Sequence, residues 1–437
     1  MSLLILLVFV VGYACIALEH PLKIDKAASA VLTGVFCWVI LVFGQDAMPA
    51  FTGAGATTEH VAMDHFLLEH LSNIASILFF LLGAMTIVEL IDVHDGFRVI
   101  TDRIKTTNQV SLLWILSIVT FFLSSVLDNM TTAIIMCALV RRMVKDREQA
   151  LLMAGFVVIA ANAGGAWSPI GDITTIMLWI GGQVTTFNIM KATFVSSLVS
   201  MVVPLALVSL RLKGHIERPH SKQDEEADHA SRATIFQRNL IFAVGVGSLL
   251  FVPVFKTTTH LPPFVGILLG VGVLWTITEL MHKRMPTDAR HSLTVGAVLR
   301  RIDSPSILFF LGILMAVSAL ETSGHLRMMA TSLDGIFGNI YIINTLIGLL
   351  SAVVDNVPLV AAMMGMYPMT QYPPDALFWN LLAYCAGTGG SILIIGSAAG
   401  VASMGIMHID FLWYFKRISL YALIGYLAGI LMFWLGL

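Results

Sequence analysis

Three aspartates stand where the apolar runs of this chain break. They are Asp128 in Ser124-Ser-Val-Leu-Asp-Asn-Met-Thr-Thr132, Asp172 in Asn162-Ala-Gly-Gly-Ala-Trp-Ser-Pro-Ile-Gly-Asp-Ile-Thr-Thr175, and Asp355 in Val354-Asp-Asn-Val-Pro358. Neutral oxygen donors surround them: Asn129, Thr131, Thr132, Asn162, Thr174 and Thr175 in the N-terminal half, and Ser351, Asn356, Thr388, Ser391 and Ser397 in the C-terminal half. A donor set made only of oxygens suits a hard cation such as Na⁺, held at Asp128, Asp172 and Asp355. A charged side chain at the centre of a membrane helix costs at least about 2.5–3.5 kcal/mol, so a carboxylate at that depth is read as functional. The competing reading is helix capping, because each aspartate precedes an apolar segment whose first N–H groups need an acceptor. Capping alone requires no charge, and Ser397 stands in the second half where Asp172 stands in the first. Aspartates at two loop tips would repel a di- or tricarboxylate. A carboxylate in a low-dielectric pocket holds its proton tightly, and a bound cation expels it. Na⁺ and H⁺ therefore compete for one oxygen cluster.

Glu69 and Glu89 are secondary candidates near the two ends of one apolar run, with Glu321 in a similar place on another; an interfacial, snorkelling acid is the plainer reading of each.

The elements that must carry these groups are membrane helices. The 437 residues are 57% hydrophobic and only 12% charged, against about 25% charged in soluble domains. Apolar runs of roughly 17–25 residues, the length that crosses a bilayer, recur throughout. No phosphate-binding GxxxxGK[ST] loop is present, and a net charge of −2 gives no sign of nucleic-acid binding. No cofactor is indicated. Cys15, Cys37, Cys137 and Cys385 all fall inside apolar runs and read as packing. The first run reads as a span and not as a cleaved signal, since no basic segment precedes it.

Lys and Arg mark cytoplasmic loops. Spans are expected near 2–18, 27–43 and 72–91. The stretch 111–140 is about 30 residues, roughly 45 Å as a straight helix, with basic residues at both ends; a re-entrant hairpin with its tip near Ser124–Asn129 satisfies both facts. The stretch 151–182 is polar and glycine-rich at its middle and holds Pro169, which predicts a broken helix. A span near 190–210 completes a first repeat, 1–210, and 211–238 is a mixed-charge cytoplasmic linker. The second repeat, 239–437, has spans near 239–256, 264–281 and 305–322, a hairpin at 340–366, a broken helix at 376–405 and a last span at 418–436. Lys191, Lys256 and Arg327 fall on the outer side of this map and run against the charge rule.

Three anchors recur in order at a nearly constant offset. Ile77-Leu-Phe-Phe-Leu81 returns as Ile307-Leu-Phe-Phe-Leu311, Ser125-Val-Leu-Asp-Asn129 as Ala352-Val-Val-Asp-Asn356, and Gly164-Gly165 with Gly171 as Gly389-Gly390 with Gly396. An odd number of spans per repeat inverts the second copy. The fold class is thus an all-α polytopic membrane protein of two inverted repeats, with about ten full spans, two re-entrant hairpins and two broken helices. Carriers of this plan bind their cargo at mid-membrane on discontinuous helices.

With these motifs, joined by the run Leu68–Asp92, the chain resembles the NhaD-type sodium/proton antiporters of the ion transporter superfamily over essentially its whole length. The resemblance implies export of Na⁺, and of Li⁺ as well, against H⁺ uptake, with pH homeostasis as its use. It implies polar sites at Asp128, Asn129, Asn162, Asp172, Thr174, Thr175, Asp355 and Asn356. It further implies a multi-pass protein of the bacterial inner membrane, working as a homodimer with lipid as its surroundings. The alternative is another carrier of the superfamily, such as an arsenite or anion exporter. An enzyme is not expected: an intramembrane aspartyl protease needs Tyr-Asp and Gly-x-Gly-Asp, and this chain has Leu127-Asp128 and Pro169-Ile-Gly-Asp172.

Overall fold

The computed structural model describes residues 2–17, 19–44, 63–104, 106–212, 214–216, 234–283 and 293–436, and its secondary structure there is helical apart from an isolated antiparallel bridge between Asn108 and His215. In chain order the helices are α1 (Ser2–Ala17), α2 (Glu19–Leu22), α3 (Lys26–Gly44), α4 (Met63–Val93), α5 (Arg98–Thr101), α6 (Gln109–Ser124), α7 (Asn129–Met143), α8 (Arg147–Ala166), α9 (Ile173–Ile180) and α10 (Thr186–Ser209). After the linker come α11 (Ile235–Thr259), α12 (Pro263–His282), α13 (Val295–Leu299), α14 (Ser304–Thr322), α15 (His325–Phe337), α16 (Ile340–Leu350), α17 (Asn356–Met366), α18 (Leu377–Gly389), α19 (Ala398–Met407), α20 (Phe411–Arg417) and α21 (Ser419–Leu435). The expected outer loop falls largely on residues 45–62 and most of the linker on 217–233; both segments lie outside the described residues.

Among the described residues seven helices are long and apolar enough to cross a membrane, and nine if each bent pair is one span. The chain is a polytopic membrane protein. The difference from about ten arises where apolar helices are short. α1 has 16 residues, about 24 Å, and the breaks after α8 and α18 leave α9 and α19 short on their own. α4 runs for 31 residues and begins well before the apolar stretch 72–91, its first turns including Asp64 and Glu69. α11 likewise starts at Ile235, inside the expected linker, on a capping box in which the Thr234 hydroxyl and the Gln237 side chain satisfy each other's backbone N–H.

The helices divide into two bundles. In one, α3 packs along α14 and α1, and α4 packs on α11, α12 and α14. The Trp38 indole of α3 donates to Met315 O of α14 at 2.9 Å. In the other bundle α10 packs on α21, α6 and α7 on α8, α16 and α18 on each other, and α19 on α7. Buried tyrosines tie this bundle by donating to backbone carbonyls: Tyr384 to Tyr426 O at 2.9 Å, Tyr426 to Thr345 O and Tyr414 to Ser391 O at 2.8 Å. The bundles meet where α4 touches α9 and α14 touches α17.

Arg98, Arg142 and Arg301 gather at one end of the molecule, the basic end, among the acids Glu89, Asp92, Asp95 and Asp303 around a cavity mouth. Two buried imidazoles stack at this end, His94 on His282, with ring centroids 5.2 Å apart and planes 7° apart. The opposite end is joined by Asp375, whose carboxylate accepts from the Thr185 N–H at 2.6 Å and hydroxyl at 2.8 Å.

Candidate functional site

Four helices of the second bundle begin at its centre, each on a side-chain cap. Asp128 Oδ1 accepts from Thr131 N at 2.7 Å to start α7, and Asp172 Oδ1 from Thr174 N at 3.0 Å to start α9. Asp355 Oδ1 accepts from Val357 N at 3.1 Å to start α17, and the Ser397 hydroxyl from Gly400 N at 3.1 Å to start α19. Capping and charge are therefore not alternatives here. Each helix start carries partial positive charge. Three of the four are met by a carboxylate, which turns an anion-seeking arrangement into one suited to a cation.

The two halves of the chain hold these starts by matching contacts. The Ser124 hydroxyl donates to Ala161 O at 2.6 Å, and the Ser351 hydroxyl to Ala386 O at 2.9 Å. Gly171 passes against Ser124 O, and Gly396 against the carbonyls of Ser351 and Ala352; a Cβ at Gly171 would lie 2.5 Å from Ser124 O, and one at Gly396 2.5 Å from Ala352 O. Only glycine lets the segment between α8 and α9, and that between α18 and α19, approach the neighbouring helix end so closely.

A chain of hydrogen bonds crosses the centre. Asn356 Nδ2 lies 3.5 Å from both oxygens of Asp172. Asn129 Nδ2 donates to Asp172 Oδ2 at 2.9 Å and to Asn162 Oδ1 at 3.0 Å. Asn162 Nδ2 in turn donates to the hydroxyls of Ser391 at 2.9 Å and Ser397 at 2.8 Å. All six residues are buried. Asp172 is 1% exposed, and among the described residues no Lys, Arg or His side chain hydrogen-bonds to or ion-pairs with it. A buried carboxylate held by neutral donors alone is a costly arrangement, which marks it as functional.

The other candidates fall into four groups. Asp128 and Asp355 are half-buried beside this centre and act on Asp172 electrostatically. The second oxygen of Asp128 is occupied by the Thr131 hydroxyl at 2.5 Å. The buried Thr132 hydroxyl has no partner among the described residues, and Thr174 is buried next to the Asp172 cap. Thr175 and Ser351 are committed to the backbone, Thr175 donating to Asp172 O at 2.8 Å and Ser351 to Ala386 O; Thr388 likewise donates to Tyr384 O. Glu69 is exposed at the start of α4, away from the centre. Glu89 pairs with Arg301 at 3.6 Å. No three acidic, His or Cys side chains among the described residues converge as a metal cage; the oxygens nearest Asp172 in the cavity are those of neutral side chains, with the carboxylates of Asp128 and Asp355 lining the same space.

A cavity of about 730 Å³ connects the centre to the basic end. Asp128, Asn129, Asp172, Asp355 and Asn356 line its floor, and Glu89, Asp92, Asp303, Arg142 and Arg301 its mouth. Sequence reasoning took Arg142 and Arg301 as markers of loop sidedness and did not single out Asp92 or Asp303. Their signal was clustering with basic residues at apolar-run ends.

A polytopic membrane protein with a cavity ending on a lone buried carboxylate has the architecture of a membrane transporter. The profile of the citrate transporter family matches residues 13–383. Sodium/proton antiporter 1 of Arabidopsis thaliana is 49% identical over 425 residues, covering 97% of this chain and 70% of that protein. Sodium/proton antiporter 2 of the same plant is 45% identical over 429 residues, covering 97% of each chain. The Na(+)/H(+) antiporter NhaD of Vibrio cholerae is 32% identical over 457 residues, covering 98% of this chain and 90% of that one. The chain therefore belongs to the NhaD-type sodium/proton antiporters within the citrate transporter family.

Proposed function

We propose that this protein exchanges cytoplasmic Na⁺, and Li⁺ by the same site, for external H⁺. The observation that carries the reading is Asp172: buried, uncompensated by any cationic side chain, and reached by the cavity. The amides of Asn129 and Asn356 donate to it. Half a turn of either amide presents its oxygen instead, so the same residues serve a carboxylate or a cation. The Ser391 and Ser397 hydroxyls, Thr132, Thr174 and the carboxylates Asp128 and Asp355 are the further oxygens within the same region. A proton on Asp172 and a cation beside it are mutually exclusive, which couples the two flows when the empty carrier does not reorient.

The matching contacts of Ser124 and Ser351, and of Gly171 and Gly396, support two repeats of opposite orientation, 1–210 and 239–437, with α6–α7 and α16–α17 as re-entrant hairpins. The arginines at the cavity mouth support an inward-open arrangement by the charge rule, which counts Lys and Arg and not net charge. A homodimer and the bacterial inner membrane belong to the same reading; the bacterial relatives support the latter, and the plant relatives show that the family is not confined to it. An arsenite or anion exporter fits less well, because three carboxylates face the space an anion would enter.

Inside-out vesicles energised to an acid interior test the proposal. Na⁺ or Li⁺ should dissipate the proton gradient, and arsenite or citrate should not. Absence of any Na⁺-evoked proton efflux refutes it.

A further inference from the structure

Lys256 runs against the charge rule, and its contacts suggest why it is there. It lies on α11, 18 residues beyond Arg238, which pairs with Asp102 at 3.4 Å near the basic end. At 1.5 Å per residue that places it about 27 Å along the helix toward the opposite end. Its ammonium donates to Trp179 O and stands 4.2 Å from the centre of the Trp179 indole. Trp179 is fully buried, and Phe80 of α4 meets its ring edge-on at 6.5 Å. Lys256 and Phe80 belong to one bundle and Trp179 to the other, so the indole is gripped across the boundary between them.

Trp179 is in the last turn of α9, an eight-residue helix whose N-cap is Asp172. The Trp179 carbonyl is among those that find no partner within the helix, and the C-terminus of the helix favours a cation. A two-turn helix moves as one body, so a grip on Trp179 is a grip on Asp172. The grip is closed at the end of the molecule opposite the cavity mouth.

We infer that Lys256 is a positioning residue that latches the outer end of α9 and thereby holds Asp172 in the arrangement open to the basic end. Exchange requires Asp172 to face both sides in turn, so the latch opens when the bundles shift. The inference rests on the exchange reading, but one arm of its test needs no ion flux.

The test uses the full-length chain with its four cysteines replaced by alanine and Ala402→Cys, a cavity-lining position on α19, as reporter. Labelling by a membrane-impermeant maleimide from the basic side should slow about tenfold in Lys256→Gln, the equilibrium effect of losing one charge-assisted hydrogen bond. Lys256→Arg should retain the parent rate. In proteoliposomes of defined orientation, Lys256→Gln should raise the half-saturating Na⁺ on the basic side and lower it on the other. Should the Gln variant fail to reach the membrane, Lys256→Met, with similar length and no N–H, must show the same effects. Unchanged labelling together with unchanged sidedness in the variant overturns the latch. Slowed labelling in a protein that shows no exchange keeps the latch and removes the antiport reading.

Discussion

Asn356 Nδ2 sits 3.5 Å from both carboxylate oxygens of Asp172, across 184 residues of sequence. The amide comes from the start of α17 and the carboxylate from the N-cap of α9. Neither half therefore completes the centre alone. Asn356→Ala removes this contact and leaves the cap of α17, which Asp355 makes. Half-saturating Na⁺ is expected to rise about 10–100-fold, the usual effect of deleting a partner of an ion ligand, in Na⁺-titrated vesicle assays. An unchanged value removes Asn356 from the site.

Asp128→Asn and Asp355→Asn separate charge from capping. Asn caps a helix about as well as Asp, so thermal stability in detergent should change by less than about 1 kcal/mol. Exchange should be lost in both. Full activity in either variant shows that the aspartate serves as a cap alone.

Gly171→Ala and Gly396→Ala each drive a Cβ against a backbone carbonyl at 2.5 Å. Backbone cannot swing aside as a side chain can, so each should cost about 1–3 kcal/mol, read as a lowered unfolding temperature. Because the contacts match, the two losses should be similar. A neutral result at one position alone would show that the halves differ there.

His94 lies at the basic end beyond α4, and burial pushes its imidazole below the ordinary range, with His282 acting in the same direction. Its Nδ1 donates to Leu90 O at 2.7 Å, so Nε2, 3.4 Å from His282 Nε2, is the atom that gains a proton. A histidine depressed in the folded state binds protons more readily when unfolded. The folded protein should therefore lose stability as pH falls below about 6.5. Unfolding temperatures between pH 8 and pH 5.5 should drop more steeply in wild type than in His94→Gln; equal slopes exclude this pair as the cause.

Much of the centre was legible because polar residues inside apolar runs are conspicuous. Asp172, Asn129, Asn162, Asn356, Ser391 and Ser397 stand out by type alone, and the structure joins them in one hydrogen-bonded chain. The joining itself was not legible: Asn162 reaches Ser391 and Ser397 over 229 and 235 residues, and no local period encodes that. Ser351 and Thr175 have the same chemical signature as the others, yet they donate to backbone carbonyls. Residue type does not reveal where a hydroxyl is spent. The beginning of α4 was hidden for a different reason, since hydropathy marks the lipid-facing stretch and not the helix that extends past it. Lys256 looked like an error in the topology until the Trp179 carbonyl supplied its partner.

The central claim is that Asp172 is where a proton and Na⁺ exclude each other. Purified protein in weakly buffered detergent solution, given Na⁺ at a pH where the site is protonated, should release protons in proportion to bound Na⁺. Asp172→Asn should release none. Na⁺ binding without proton release in the wild type, or equal release from the variant, contradicts the account.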